Sequence, residues 1–256
     1  MKRKLLGLGC LGALLTFALV LPNTSANNAS VIKKHKVLYL THSAGFKHQV
    51  LPESEKIMKE LGEKSGAFEA VTTQDCSLIN QESLKQFDAV IFYTTGELPI
   101  SDEQKQAFMA FIKSGKGFVG IHSATDTFYK WAEYGDMIGG YFDQHPWHQE
   151  VTVKVEDTKS PATKHLGASF KITDEIYQHK NFSRDKVHVL LSLDVNSVDL
   201  TKPNVHRADK DFALAWSRSF GKGRVFYTAL GHRSEVWNDE RFQKLLIGAI
   251  KWAMGD

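Results

Sequence analysis

The sequence predicts an α/β fold: an open, mostly parallel sheet with helices on both faces, followed by an added β-rich second half. Three observations predict it. Short, almost wholly apolar runs alternate with amphipathic stretches through the first half, as strands buried on both faces alternate with crossover helices. The second half then turns to polar–apolar alternation, the mark of half-exposed strands, and a long amphipathic segment closes the chain.

Taken in order, "KVLYLTH" (Lys36 to His42) reads as the first strand, and "PESEKIMKELG" places Ile57, Met58 and Leu61 at helical spacing. "FEAVTT" is a second strand and "DAVIFYTT" (Asp88 to Thr95) a third. "SDEQKQAFMAFIKSG" opens on Ser101 with Gln104 three residues on, carries an apolar stripe at Ala107, Phe108, Phe111 and Ile112, and stops at Gly115. "GFVGIHS" makes the fourth strand. Later, "HQEVTVKVED" alternates, and "VHVLLSLD" with "DFALAWSRSFGKGRVFYTALGH" adds three strands, the last two joined through Gly221, Lys222 and Gly223. In "DERFQKLLIGAIKWAMG", Phe242, Leu245, Leu246, Ala249, Ile250 and Ala253 form one helical face.

The N-terminus has a separate purpose. Lys2, Arg3 and Lys4 precede an apolar run from Leu5 to Leu21 and a small-residue exit, the layout of a secretory signal peptide cleaved after Ala26. Retention as a membrane anchor is the competing outcome, whereas lipidation at Cys10 would follow too short an apolar stretch. Residues 27–256 are then expected as a single domain in the periplasm or secreted. Removing 1–26 takes three of the 32 basic residues and none of the 29 acids, leaving 29 of each. A neutral mature chain lacks the basic footprint of a nucleic-acid binder. With Cys76 as its sole cysteine it can form no internal disulfide, so a packed core must carry stability.

Chemistry is suggested by position. In a parallel sheet the carboxyl ends of the strands face the ligand crevice. His42 ends the first strand, Thr94 and Thr95 the third, His122 and Ser123 the fourth, and His232 the last apolar run. Lys47 and His48 follow the first strand directly and sit over the same rim. A second cluster, "GGYFDQHPWHQE", combines His145 and His148 with Tyr141, Trp147 and Asp143, a mixture that suits a sugar's apolar ring face and its hydroxyls. Packing as a small core of its own is the plainer account of those aromatics. In "TDEIYQHKNF", Glu175 offers a carboxylate as acid, base or ligand.

Several chemistries lack their motifs. No phosphate-binding glycine loop follows a strand, and no H-E-x-x-H occurs. Ser123 lacks the G-x-S-x-G context of a nucleophile elbow. The cofactor question narrows to none, or a divalent metal such as zinc bound by imidazoles and a carboxylate.

The motifs "LTHSAGFKHQVLPES", "DAVIFYTTGE", "GKGFVGIHSATDTF", "GGYFDQHPWHQEVTV", "DEIYQ" and "RVFYTALGHRSEVWNDERFQKLLIGAIKWA" together resemble the ThuA-like family, named for trehalose utilisation, from about Lys36 to Ala253. The resemblance implies a flavodoxin-like fold related to class I glutamine amidotransferases, and a role in carbohydrate catabolism on oxidised sugars such as 3-keto-glycosides. Those amidotransferases mount a cysteine nucleophile on the strand-to-helix elbow, but here the elbow reads Ile121, His122, Ser123, so cysteine-triad glutamine hydrolysis is not expected.

The expectation is therefore a sugar-processing enzyme with His122, His148 and Glu175 as catalytic groups. His42, His48, Ser123, Tyr141, His145, Trp147 and His232 are expected around a small carbohydrate substrate. A non-catalytic sugar-binding protein and a metal-dependent hydrolase are the alternatives. The oligomeric state stays open, a homo-oligomer included.

Overall fold

The apolar runs of the first half become β1 (His35–Leu40), β2 (Phe68–Thr73), β3 (Ala89–Phe92) and β4 (Gly117–Ile121) in the computed structural model, which describes residues 34–256. The expected signal segment, residues 1–26, and Cys10 lie outside the described residues. The second half supplies β5 (Tyr141–Val155), β6 (Ser169–Lys180), β7 (His188–Leu193), β8 (Ala213–Phe220) and β9 (Gly223–Thr228). All nine form one sheet in the order β2-β1-β3-β4-β9-β8-β7-β5-β6. Neighbours from β2 to β9 pair in parallel and those from β9 to β6 antiparallel.

Helices cover the parallel part on both faces. On one side lie α1 (Leu51–Ser65), α5 (Ser234–Trp237) and α6 (Glu240–Met254), with Trp237 stacked on Tyr93. On the other lie α3 (Asp102–Lys113) and α4 (Ala132–Ile138), whose Phe108 and Tyr134 stack on Phe92. A short α2 (Gln81–Leu84) packs against α3. The start of α3 is fixed by a complete capping box, Ser101 and Gln104 each satisfying the other's backbone N–H. Among the described residues no helix is long and apolar enough to cross a membrane.

Two segments depart from the sequence reading. "GGYFDQHPWHQE", expected to form a cluster of its own, supplies β5 from Tyr141 to Glu150, and the polar "TDEIYQHK" is the C-terminal part of β6. Their pairing is irregular between Phe142 and Trp147, around Pro146, which cannot donate to the ladder. Four polar residues of β6, Asp174, Glu175, Gln178 and His179, are buried. Strand β6 stands five places from β4 in the sheet order, a separation of about 24 Å at about 4.8 Å per strand if the sheet were flat. The β5–β6 ribbon instead bends back to meet α5 and the 3-10 turn, His122–Asp126, that follows β4.

Candidate functional site

Four chain segments converge where the ribbon meets the rim. His48 comes from the loop before α1, His122 from the turn after β4, His232 from the loop after β9, and Glu175 from β6. Each offers one ligand-type atom, and these atoms all lie within 4.8 Å of one another. His122 Nε2 is 3.3 Å from His232 Nδ1 and 3.3 Å from Glu175 Oε2, while His232 Nδ1 is 3.4 Å from that same oxygen. The other carboxylate oxygen faces outward: Glu175 Oε1 is 3.1 Å from His148 Nε2 and 3.8 Å from His145 Nδ1.

His122 is the most constrained of the group. Its φ of +46° puts it in the left-handed region that non-glycine residues seldom occupy. It is fully buried, and its ring Nδ1 lies 2.7 Å from the Ala229 carbonyl oxygen. A carbonyl only accepts, so Nδ1 carries a proton and Nε2 is the nitrogen turned to the cluster. The His122 carbonyl in turn accepts from Tyr227 Oη at 2.7 Å. His232 is held through its backbone: Asp174 accepts from Gly231 N at 2.7 Å and from Arg233 N at 3.2 Å.

On the ribbon, His148 pairs directly across the strands with Glu175. Its Nε2 reaches both Glu175 Oε1 and His145 Nδ1, the latter at 3.0 Å, so this nitrogen is the donor and Nδ1 is left with a free lone pair.

Burial and charge tune these groups in opposite senses. Burial alone would raise the Glu175 carboxyl, but the hydrogen bonds and charges of His122 and His232 outweigh it and hold Glu175 well below the usual carboxylate range. His232 is raised by its hydrogen bond to Glu175. Burial lowers His48 to about 3, assisted by the charges of His122 and His232, and it also lowers His148. Asp126, at the end of the turn that His122 begins, is pushed up by burial despite a 2.6 Å hydrogen bond from Tyr129 Oη.

The structure redistributes the expected residues. His48, His122, His145, His148, Glu175 and His232 come together, as above. His42 does not join them: its Nδ1 is 2.9 Å from the Gln74 carbonyl, at the β1–β2 side of the rim. Trp147 is fully buried with Nε1 donating to the Asp199 carbonyl, and Tyr141 is buried with its hydroxyl donating to Phe128 and Trp131 carbonyls. Both are core residues and present no face to a sugar. Ser123 is also fully buried, with no hydrogen-bond partner for Oγ among the described residues, so it neither binds substrate nor acts as a nucleophile at the surface. Thr94 and Thr95 spend their hydroxyls on Thr127 Oγ1 and the Phe46 carbonyl.

Sequence reasoning places Asp174 in the candidate stretch beside Glu175 without a role of its own, and misses Asp126 and Arg233. Arg233, whose Nε is buried with no partner among the described residues, adds by its charge to the lowering of His148 that burial causes and opposes the rise of His232 that Glu175 causes. Its position next to His232 was the one signal available. Beside His232 a cleft of about 630 Å3 opens between Phe46, Lys47, Glu53, Arg233 and Ser234, with Phe46 65% exposed at its mouth. A larger groove, about 730 Å3, runs between α2 and α3 over Leu84, Ala107 and Phe111, away from every site residue. The cleft beside His232 is the relevant one because it adjoins the titratable cluster.

Comparison with known proteins agrees with this architecture. A ThuA-like protein from Bacteroides uniformis superimposes with a TM-score of 0.73 at 28% identity, covering 88% of this chain and 94% of its own. One from Parabacteroides merdae gives 0.69 at 19% identity, covering 87% and 91%. A cytoplasmic protein from Salmonella typhimurium shares the fold alone, with a TM-score of 0.59 at 12% identity over 85% of this chain and 99% of that one. No curated protein matches. The family whose pattern matches residues 36–253 is described as trehalose utilisation, and by that match over most of its length the chain belongs to the ThuA family.

Proposed function

We propose that the protein is an exported enzyme of carbohydrate catabolism that acts on a sugar or keto-glycoside by proton transfer at His148, oriented by Glu175. The observation that carries this reading is the cross-strand pair His148–Glu175, 3.1 Å apart, on the lip of the imidazole cluster. A carboxylate on one ring nitrogen fixes the tautomer and supports the imidazolium when the other nitrogen takes a proton, the division of labour in any carboxylate–histidine base. Family membership supports the sugar, and the sequence of residues 1–26 supports export.

On a keto-glycoside the hydrogen beside the ketone is acidic. His148 Nδ1 removes it, the electron pair forms the new carbon–carbon double bond, and the glycosidic C–O bond on the far carbon breaks. The leaving oxygen then collects the proton that His148 has taken. Arg233, in the cleft beside His232, is the cation available to the negative charge that develops on the ketone oxygen.

The binding-protein alternative drew its sequence support from Trp147, and the burial of that ring removes it. The test is to incubate the full chain with 3-keto-trehalose and 3-keto-glucosides and follow the ketone by NMR. Turnover is expected, with His148→Ala slower by about 10²–10⁴-fold. Saturable binding without product would favour the alternative, and turnover unchanged in His148→Ala would remove His148 from the reaction.

A further inference from the structure

The spacing around His122 is wider than hydrogen bonds alone explain. With its Nδ1 proton committed to Ala229, the ring turns Nε2 to Glu175 Oε2 and His232 Nδ1, and the carboxylate oxygen only accepts. The three atoms make a near-equilateral triangle with sides of 3.3, 3.3 and 3.4 Å. Charge-assisted hydrogen bonds between such groups settle at about 2.7–2.9 Å. Ligand atoms around a tetrahedral cation with bonds of about 2.0–2.1 Å stand about 3.3–3.4 Å apart. His48, buried on the same side, has a ring nitrogen without a hydrogen-bond partner among the described residues and completes the donor set.

We infer that His48, His122, His232 and Glu175 Oε2 form a binding site for one divalent transition-metal cation of zinc-like character. Three neutral imidazoles and one carboxylate are borderline donors that suit zinc or cobalt and disfavour magnesium or calcium, which take oxygen ligands. The Ala229 carbonyl orients His122 through Nδ1, and Asp174 fixes the backbone on both sides of His232. Glu175 Oε1 belongs to the ribbon histidines, so His145 and His148 orient this ligand without joining the site. An ion here would act as a Lewis acid on the substrate's ketone or hydroxyl oxygen.

The inference rests on the same cluster as the proposed function, so its test reads metal and not turnover. The purified full chain is stripped with chelator, titrated with zinc or cobalt, dialysed and analysed for metal. One equivalent per chain is expected, and the cobalt form should show the visible absorption of a tetrahedral nitrogen–oxygen site. Glu175→Gln, close to isosteric, and His232→Ala should each weaken uptake at least tenfold while keeping the wild-type circular dichroism. His42→Ala, on the β1–β2 side of the rim, should bind like wild type. Failure of the stripped chain to take up one equivalent, or wild-type uptake by both Glu175→Gln and His232→Ala, overturns the site. Sugar turnover that persists in a metal-free chain overturns the catalytic role of the ion but leaves the proton-transfer reading standing.

Discussion

His122 has two demands on it, a ring directed into the cluster and a backbone at φ +46°. Asparagine tolerates the left-handed region and β-branched residues do not. His122→Asn should therefore remain folded, whereas His122→Val should lose about 1–3 kcal/mol more stability by denaturant titration. Both should lose activity. Equal stability of the two variants would mean that the backbone relaxes and that the conformation is not held in place by its surroundings. Trp147 separates packing from binding in the same way. Trp147→Phe removes the hydrogen bond to Asp199 and some packed volume, so a lower melting temperature with an unchanged KM is expected. A raised KM with unaltered melting would return this residue to the substrate.

At the scale of elements, β6 carries the acidic half of the site. Asp174 holds the loop of His232 while Glu175 enters the cluster, so neighbouring carboxylates on one strand have separate tasks. Asp174→Ala leaves two backbone N–H groups without their acceptor and should cost about 1–3 kcal/mol, with a larger fall in kcat than in substrate affinity as His232 drifts. Melting curves and steady-state kinetics on the one variant check both halves. This strand was also the hardest to see in the sequence. The runs that became β1, β3 and β4 are apolar because both faces are covered, and "FEAVTT" matches the edge strand β2 residue for residue. "TDEIYQHK" is polar because its burial is among partners: Asp174 accepts from Gly231 N and Arg233 N, Glu175 meets the histidines, Gln178 hydrogen-bonds Asp143, Asn204 and His206, and His179 hydrogen-bonds Tyr227, and a hydropathy pattern cannot tell that from exposure. Pro146 and the irregular pairing around it gave the start of β5 the look of a loop in the same manner. The strand-end histidines were legible through topology alone, with His42 as the exception because nothing in the sequence says which side of the rim a side chain faces.

For the molecule as a whole, buried titratable groups set the acid limb of stability. His179 is nearly fully buried among Phe182, Trp216, Tyr177 and Tyr227, whose hydroxyl is 3.2 Å away, with Arg207 Nη1 on its carbonyl. Burial first, then the charge of Arg207, lowers its pKa from 6.5 to about 3. The folded state thus binds this proton less readily than the unfolded chain. Stability is complete above about pH 6.5 and falls as the pH drops toward 3. This one group should remove about 2 kcal/mol between pH 7.5 and pH 5. Denaturant titrations across that range should show a shallower acid limb for His179→Gln than for wild type, and parallel limbs would exclude His179 as the source.

The return of the β5–β6 ribbon onto the turn after β4 makes the histidine–carboxylate cluster a join between two parts of the sheet. His48, His122 and His232 are mounted on the parallel part, while Glu175, His145 and His148 travel with the ribbon. Lifting that ribbon takes away His148 and the carboxylate in one movement and leaves the parallel strands paired. Mild heating should accordingly abolish the proposed activity before the cooperative melt, with amide exchange rising first along β6.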